Sequence, residues 1–154
     1  MTFDRPASDA ELDSIEALID GWLQRQLGEN PILVAVDRGE PGERRWYVRL
    51  RGEEKDFTTI WLTLGQRTLQ YETYVMPAPE ENHAQFYEHL LRRNAKLVGA
   101  QFCIGGENAV YLVGAFPAAA LDEAELDRIV GSLYACVERC FRPALRIGFA
   151  SRFR

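Results

Sequence analysis

The chain has 154 residues, is 47% hydrophobic and 27% charged, and carries a net charge of −5. That balance excludes global disorder, and its acidity opposes nucleic-acid binding, which needs a basic face. No run approaches the roughly 20 apolar residues of a membrane-spanning helix, so no membrane association is expected.

The opening stretch, residues 1–14, is polar and acidic rather than signal-like, and a cytoplasmic protein is expected. Three cysteines are too few and odd in number for a disulfide framework. Sixteen arginines against two lysines reflect a GC-rich bacterial genome more than a function.

In chain order, Ser8 and Glu11 form a capping box that opens a helix with Leu12, Ile15, Leu18, Ile19, Trp22 and Leu23 on one face. Gly28 is placed to end it, before Asn30-Pro31. Ile32–Val36 reads as a weak strand, followed by a turn cluster from Asp37 to Gly42. Three alternating segments then follow at 45–51, 57–64 and 68–76, joined by short turns into an antiparallel meander.

Pro77 and Pro79 end that sheet portion, and the residues from Glu80 to about Lys96 form a helix with Phe86, Leu90, Leu97 and His83 toward the sheet. A hairpin follows, its turn Gly105-Gly106-Glu107-Asn108 supplying positive φ angles through its glycines. Asp122 and Glu125 cap a last helix whose buried stripe runs from Leu126 to Phe141, and Pro143 ends it.

The resulting order is α-β-β-β(-β)-α-β-β-α, an α+β fold with an antiparallel sheet and helices packed on one face. Residues 1–142 are expected as a single domain and 143–154 as a basic C-terminal tail. From Arg139 onward there are five arginines and no acid, leaving thirteen bases against twenty-three acids before it, or −10. A solvated end is the simplest reading of that tail.

The order and three stretches resemble the YbjN family, whose members share the fold of type III secretion chaperones. The stretches are Leu90-Leu91-Arg92-Arg93-Asn94-Ala95, the hairpin from Leu97 to Phe116, and Leu121 to Leu126. The resemblance implies a small, often dimeric α+β domain with a chaperone-like or regulatory binding role, and it brings no catalytic residues.

The residues themselves offer little chemistry. His83 and His89 lie roughly 240° apart around their helix and cannot share a proton or a metal. Cys136 and Cys140 face the same way, but two further zinc ligands are lacking, so packed thiols are expected and no metal or cofactor. There is no P-loop, dinucleotide fingerprint or nucleophile elbow, and no enzyme is expected.

The informative surface is the meander's second face, where Tyr47, Phe57, Trp61 and Tyr74 stand beside Arg49 and Arg51. Aromatic and arginine side chains on a polar-edged surface have the composition of an interface. The expected function is therefore a non-enzymatic module that binds a protein or peptide partner through these six residues, as a homodimer. The alternative is a small-molecule-binding domain or enzyme with a pocket between sheet and helices.

Overall fold

A computed structural model of the chain describes residues 5–153. Residues 1–4, part of the stretch read as not signal-like, and Arg154 of the basic tail lie outside the described residues. The elements run α1 (Asp9–Glu29), β1 (Leu33–Arg38), β2 (Arg45–Arg51), β3 (Phe57–Leu64), β4 (Thr68–Met76), α2 (His83–Asn94), β5 (Gln101–Ile104), β6 (Val110–Pro117) and α3 (Glu123–Gly148). The six strands form one sheet ordered β1-β2-β3-β4-β6-β5, every neighbouring pair antiparallel.

Period-2 alternation sorts these strands into two faces. Trp46, Val48 and Leu50 of β2, Ile60, Leu62 and Leu64 of β3, and Leu69, Tyr71 and Val75 of β4 are buried. They meet Ile19, Trp22 and Leu23 of α1, Phe86 and Leu90 of α2, and Leu126, Ile129, Leu133 and Val137 of α3 in one core. The helices thus cover one face and leave the other bare, as the α+β plan requires.

Polar anchors fix the helices on that covered face. The capping box at α1 is closed, with the Glu11 N–H donating to Ser8 Oγ and the Ser8 N–H to the Glu11 carboxylate, both at 3.2 Å. Fully buried Trp46 donates its indole N–H to Asp20 at 2.7 Å while Arg38 lies over its ring. Glu138 of α3 accepts the backbone N–H groups of Glu53, Glu54 and Lys55 at 2.6, 2.9 and 3.3 Å. Tyr134 donates to the Arg51 carbonyl, and Arg142 pairs with Glu54, so α3 grips the β2–β3 turn.

Asn94, the last residue of α2, has a role that spacing alone does not reveal. Its carboxamide accepts the Phe102 N–H at 2.7 Å and donates to the Phe102 carbonyl at 3.2 Å. That reciprocal pair imitates a strand neighbour on the edge strand β5, where unpaired backbone groups would otherwise invite another chain.

Several sequence expectations are corrected by tertiary contacts. The first strand extends past Val36 to Arg38, because Asp37 and Arg38 pair with Tyr47 and Trp46. The second helix starts at His83, not Glu80. The Glu80 and Glu81 N–H groups both donate to the Gly148 carbonyl, and Asn82 turns the chain at φ +53° while bonding Ile147. His83 is exposed rather than facing the sheet.

In the hairpin turn, positive φ falls on Glu107 and Asn108 rather than on the glycines. Gly105 is required for another reason: a Cβ there would stand 2.4 Å from the Tyr111 ring. Gly114 on β6 is constrained likewise, by the Gly99 carbonyl at 2.2 Å and the Tyr71 ring at 2.4 Å from its would-be Cβ.

Pro143 does not end the last helix, which continues through it to Gly148. A proline within a helix costs about 3 kcal/mol, but the residues beyond it bury Ala144 and Phe149 in the core side of the fold. The described part of the expected tail is therefore helix followed by a 3₁₀ turn at Ala150–Phe153. Arg152 pairs with Glu80 at 2.7 Å, and the Ser151 hydroxyl donates to Glu81 at 2.8 Å.

Candidate functional site: the open face of the sheet

The strand register places the sequence-predicted residues side by side on the bare face. One row across the sheet reads Asp37, Tyr47, Trp61, Glu72, Val113 and Gln101, each directly opposite the next. Flanking pairs are Arg49 with Thr59, Arg51 with Phe57, and Tyr74 with Tyr111, which in turn opposes Cys103. Residues directly opposite on one face lie within about 5.5 Å at Cβ, so this is one continuous aromatic surface.

Phe57, Trp61 and Tyr74 are 39, 41 and 42% exposed, high values for rings in the middle of a six-stranded sheet. They pack edge to face with their neighbours: Tyr47 on Trp61 at 5.1 Å and Tyr74 on Tyr111 at 5.7 Å between ring centres. Cations lie over the same rings, with the Arg49 guanidinium 3.9 Å from the Phe57 centroid, Lys55 Nζ 5.2 Å from Tyr74 and Arg45 6.0 Å from Trp61.

Between the rings the face is concave. A hollow of about 510 Å³ is lined by Phe57, Trp61, Glu72, Tyr74 and Tyr111, with Lys55 at its rim. A second of about 500 Å³ shares Trp61 and Glu72 and extends over Arg45, Gln70 and Gln101. Burial raises the Tyr74 phenol, and Tyr111 and Glu107 beside it add to that, so the hydroxyl is a hydrogen-bonding group and not an acid. Burial also lowers the Lys55 ammonium, partly offset by Glu138.

Tyr111, Lys55 and Arg45 belong to this surface and are absent from the sequence-derived set. Tyr111 was visible as an outward position between inward Val110 and Leu112. Its place beside Tyr74 depends on β6 inserting between β4 and β5, which no local pattern announces.

Elsewhere the chemistry is sparse. The Nε2 of His89 is buried without a protein hydrogen-bond partner, and burial, then Arg93, lowers its basicity. Cys136 and Cys140 are buried with their sulfurs 4.0 Å apart. The bond between them and then burial push the Cys136 thiol up, whereas that same bond favours ionisation at Cys140. Among the described residues no group of three His, Cys, Asp or Glu side chains could hold a metal ion. Of the hollows between helices and sheet, one lined by Trp22, Leu33, Leu50, Val130 and Tyr134 among others holds about 120 Å³ and one between Leu90, Leu91, Phe102 and Val110 about 250 Å³, whereas ligand pockets run to roughly 300–1,000 Å³. Among the described residues, no helix is long and apolar enough to cross a membrane.

Comparison with known proteins agrees with this architecture. The chain is similar in fold to the Yersinia pestis type III secretion chaperone SycH, solved in complex with a stable fragment of YscM2. The TM-score is 0.52 at 15% identity, covering 80% of this chain and 96% of that one. An uncharacterized protein of Mycobacterium leprae (strain TN) is 34% identical over 110 residues, 71% of this chain. An uncharacterized protein of Mycobacterium tuberculosis (strain ATCC 25618 / H37Rv) is 35% identical over 104 residues, 68% of this chain. The matches span 60% and 57% of those curated relatives' own lengths. A family model described as "YbjN: Putative bacterial sensory transduction regulator" matches residues 14–145, from the second turn of α1 to the last turn of α3. That match takes in every strand of the sheet, and the chain belongs to the YbjN family.

Proposed function

We propose that this chain is a non-enzymatic, chaperone-like or regulatory protein of the cytoplasm that binds a protein or peptide partner on the open sheet face, as a homodimer. One observation carries the reading: helices cover one side of the sheet, and the other side presents partly exposed Phe57, Trp61 and Tyr74 around a concave floor. Aromatic residues and arginine are the types enriched at interface centres. Tyr47 packs edge to face on Trp61, Arg49 lies over the Phe57 ring, and Arg51 is opposite Phe57 across the strands.

The homodimer draws support from a separate apolar strip beside the edge strand β5. Leu91 and Ile104, which line one apolar hollow there, are 68 and 54% exposed, and an isologous contact would pair the strip with its own copy. Two-fold packing of those side chains, with Asn94 still covering the β5 backbone, would leave the open face of each subunit available.

Two measurements test this reading. Quantitative capture of partners from the native cytoplasm should drop at least fivefold for Trp61→Ala/Tyr74→Ala, and unchanged capture would remove the open face from the account. Light scattering should give a dimer for the wild type and a monomer for Leu91→Asp/Ile104→Asp; a monomeric wild type would refute the dimer.

A further inference from the structure

We infer that the occupant of the open face is an acidic peptide segment, its carboxylates meeting Arg49, Arg51 and Lys55 and an adjacent apolar side chain entering the hollow between Trp61, Tyr74 and Tyr111. This inference rests on the proposed function and specifies the chemistry of the partner.

On the helix side of the molecule several arginines, though not Arg93, Arg139 or Arg146, find acids of their own chain among the described residues: Arg38 reaches Glu16 and Asp20, Arg44 reaches Asp13 and Glu16, Arg25 pairs with Glu123, and Arg152 with Glu80. On the open face, neither Arg49 nor Arg51 forms an ion pair with any described residue; Arg49 rests on the Phe57 ring instead. Lys55 donates to the Tyr74 carbonyl at 2.8 Å and reaches no carboxylate within ion-pair distance among the described residues. An acidic protein, net −5, thus keeps cations without an ion-pair partner among the described residues on the one sheet face that its helices leave bare.

The geometry also favours a peptide over a single-stranded nucleic acid. Base stacking needs free ring faces, and cations already lie over Phe57 and Tyr74. Glu72 sits in the floor of both hollows, next to Trp61, where it would repel a continuous phosphate chain. Discrete carboxylates can avoid Glu72 by lying over the β2 end of the face, with an apolar residue spanning the gap. Guanidinium groups favour carboxylates through paired N–H donors.

The test is selection of random twelve-residue peptides on phage against the full chain, followed by fluorescence anisotropy with the synthetic consensus peptide. Selected sequences should combine Asp or Glu with Leu, Phe or Trp. Replacing their acids by amides should weaken binding at least tenfold, as should Arg49→Glu/Arg51→Glu, and exchanging the peptide's acids for lysine should restore binding to that charge-reversed variant. Arg49→Gln/Arg51→Gln, with thermal melting as the control for folding, serves if charge reversal perturbs the sheet. A selection with no excess of acids, affinity unmoved by either arginine pair, no selected peptide, or tighter binding of a fifteen-residue oligothymidylate would each overturn the inference. Acid-free peptides that still lose affinity on Trp61→Ala would refute this chemistry while leaving the proposed function standing.

Discussion

The two faces of the sheet come from the same strands and differ in what became of their side chains. On the covered face, Trp46 is fully buried and its indole N–H is spent on Asp20. On the open face, Trp61 lies directly beside Tyr47 and keeps 41% of its surface exposed. The covered face is packed under the helices; the open face has partly exposed rings, and its Arg49 and Arg51 form no ion pair with any described residue. The contrast teaches that composition cannot separate buried from open-face aromatics in this protein, whereas strand register can.

The sharpest way to break that contrast is to truncate one tryptophan from each face. Trp46→Ala should lower unfolding free energy by about 3–5 kcal/mol, the usual cost of emptying a buried aromatic site, when measured by urea denaturation. Trp61→Ala should stay within about 1 kcal/mol of the wild type while lowering partner capture. Equal losses of stability would erase the distinction between the faces.

Smaller effects test the anchors. Glu138→Ala leaves three backbone donors of the β2–β3 turn without their carboxylate and should cost about 2 kcal/mol in denaturant unfolding. Asn94→Ala removes both bonds to Phe102 and should cost about 1–2 kcal/mol, with faster hydrogen exchange at the Phe102 amide. The freed edge of β5 should also raise the tendency to self-associate.

The smallest effect is a titration. The Arg5 side-chain bond, then the capping bonds from Ser8, hold the Glu11 carboxyl down at about 2. A depressed carboxyl stabilises the fold fully above the ordinary glutamate range, near 4.5, and loses that contribution as pH falls from there toward 2. An NMR titration should find Glu11 ionised at pH 3.5 in the wild type and its midpoint moved upward in Arg5→Ala, with the Ser8 bonds keeping part of the depression.

Much of this fold was legible because hydrophobic period is set locally. The alternation in β2, β3 and β4 announces both their pairing and the face that Trp46, Val48 and Leu50 share. Asp122 and Ser8 announce helix starts through side-chain bonds to the next turn. Expectations failed where distant residues decided the outcome. Pro143 stays within α3 because the residues after it are buried. Residues 80–82 are held out of α2 by the end of α3. Gly105 answers to the Tyr111 ring and not to a turn angle.

The site divides in the same way. Tyr47, Phe57, Trp61 and Tyr74 are consecutive-strand residues that alternation alone places on one face. Tyr111, Arg45 and Lys55 join them through topology and ring contact. The proposed role of Arg49 and Arg51 rests on what they do not pair with among the described residues, which only three dimensions can show.

The most direct test is an NMR titration of the chain, which contains three tryptophans, with the selected acidic peptide. The account predicts that the indole signal of Trp61 shifts with amides of β2, β3 and β4, while those of Trp22 and Trp46 stay in place. A Trp61 signal that does not move while residues around Leu91 and Ile104 shift would contradict it.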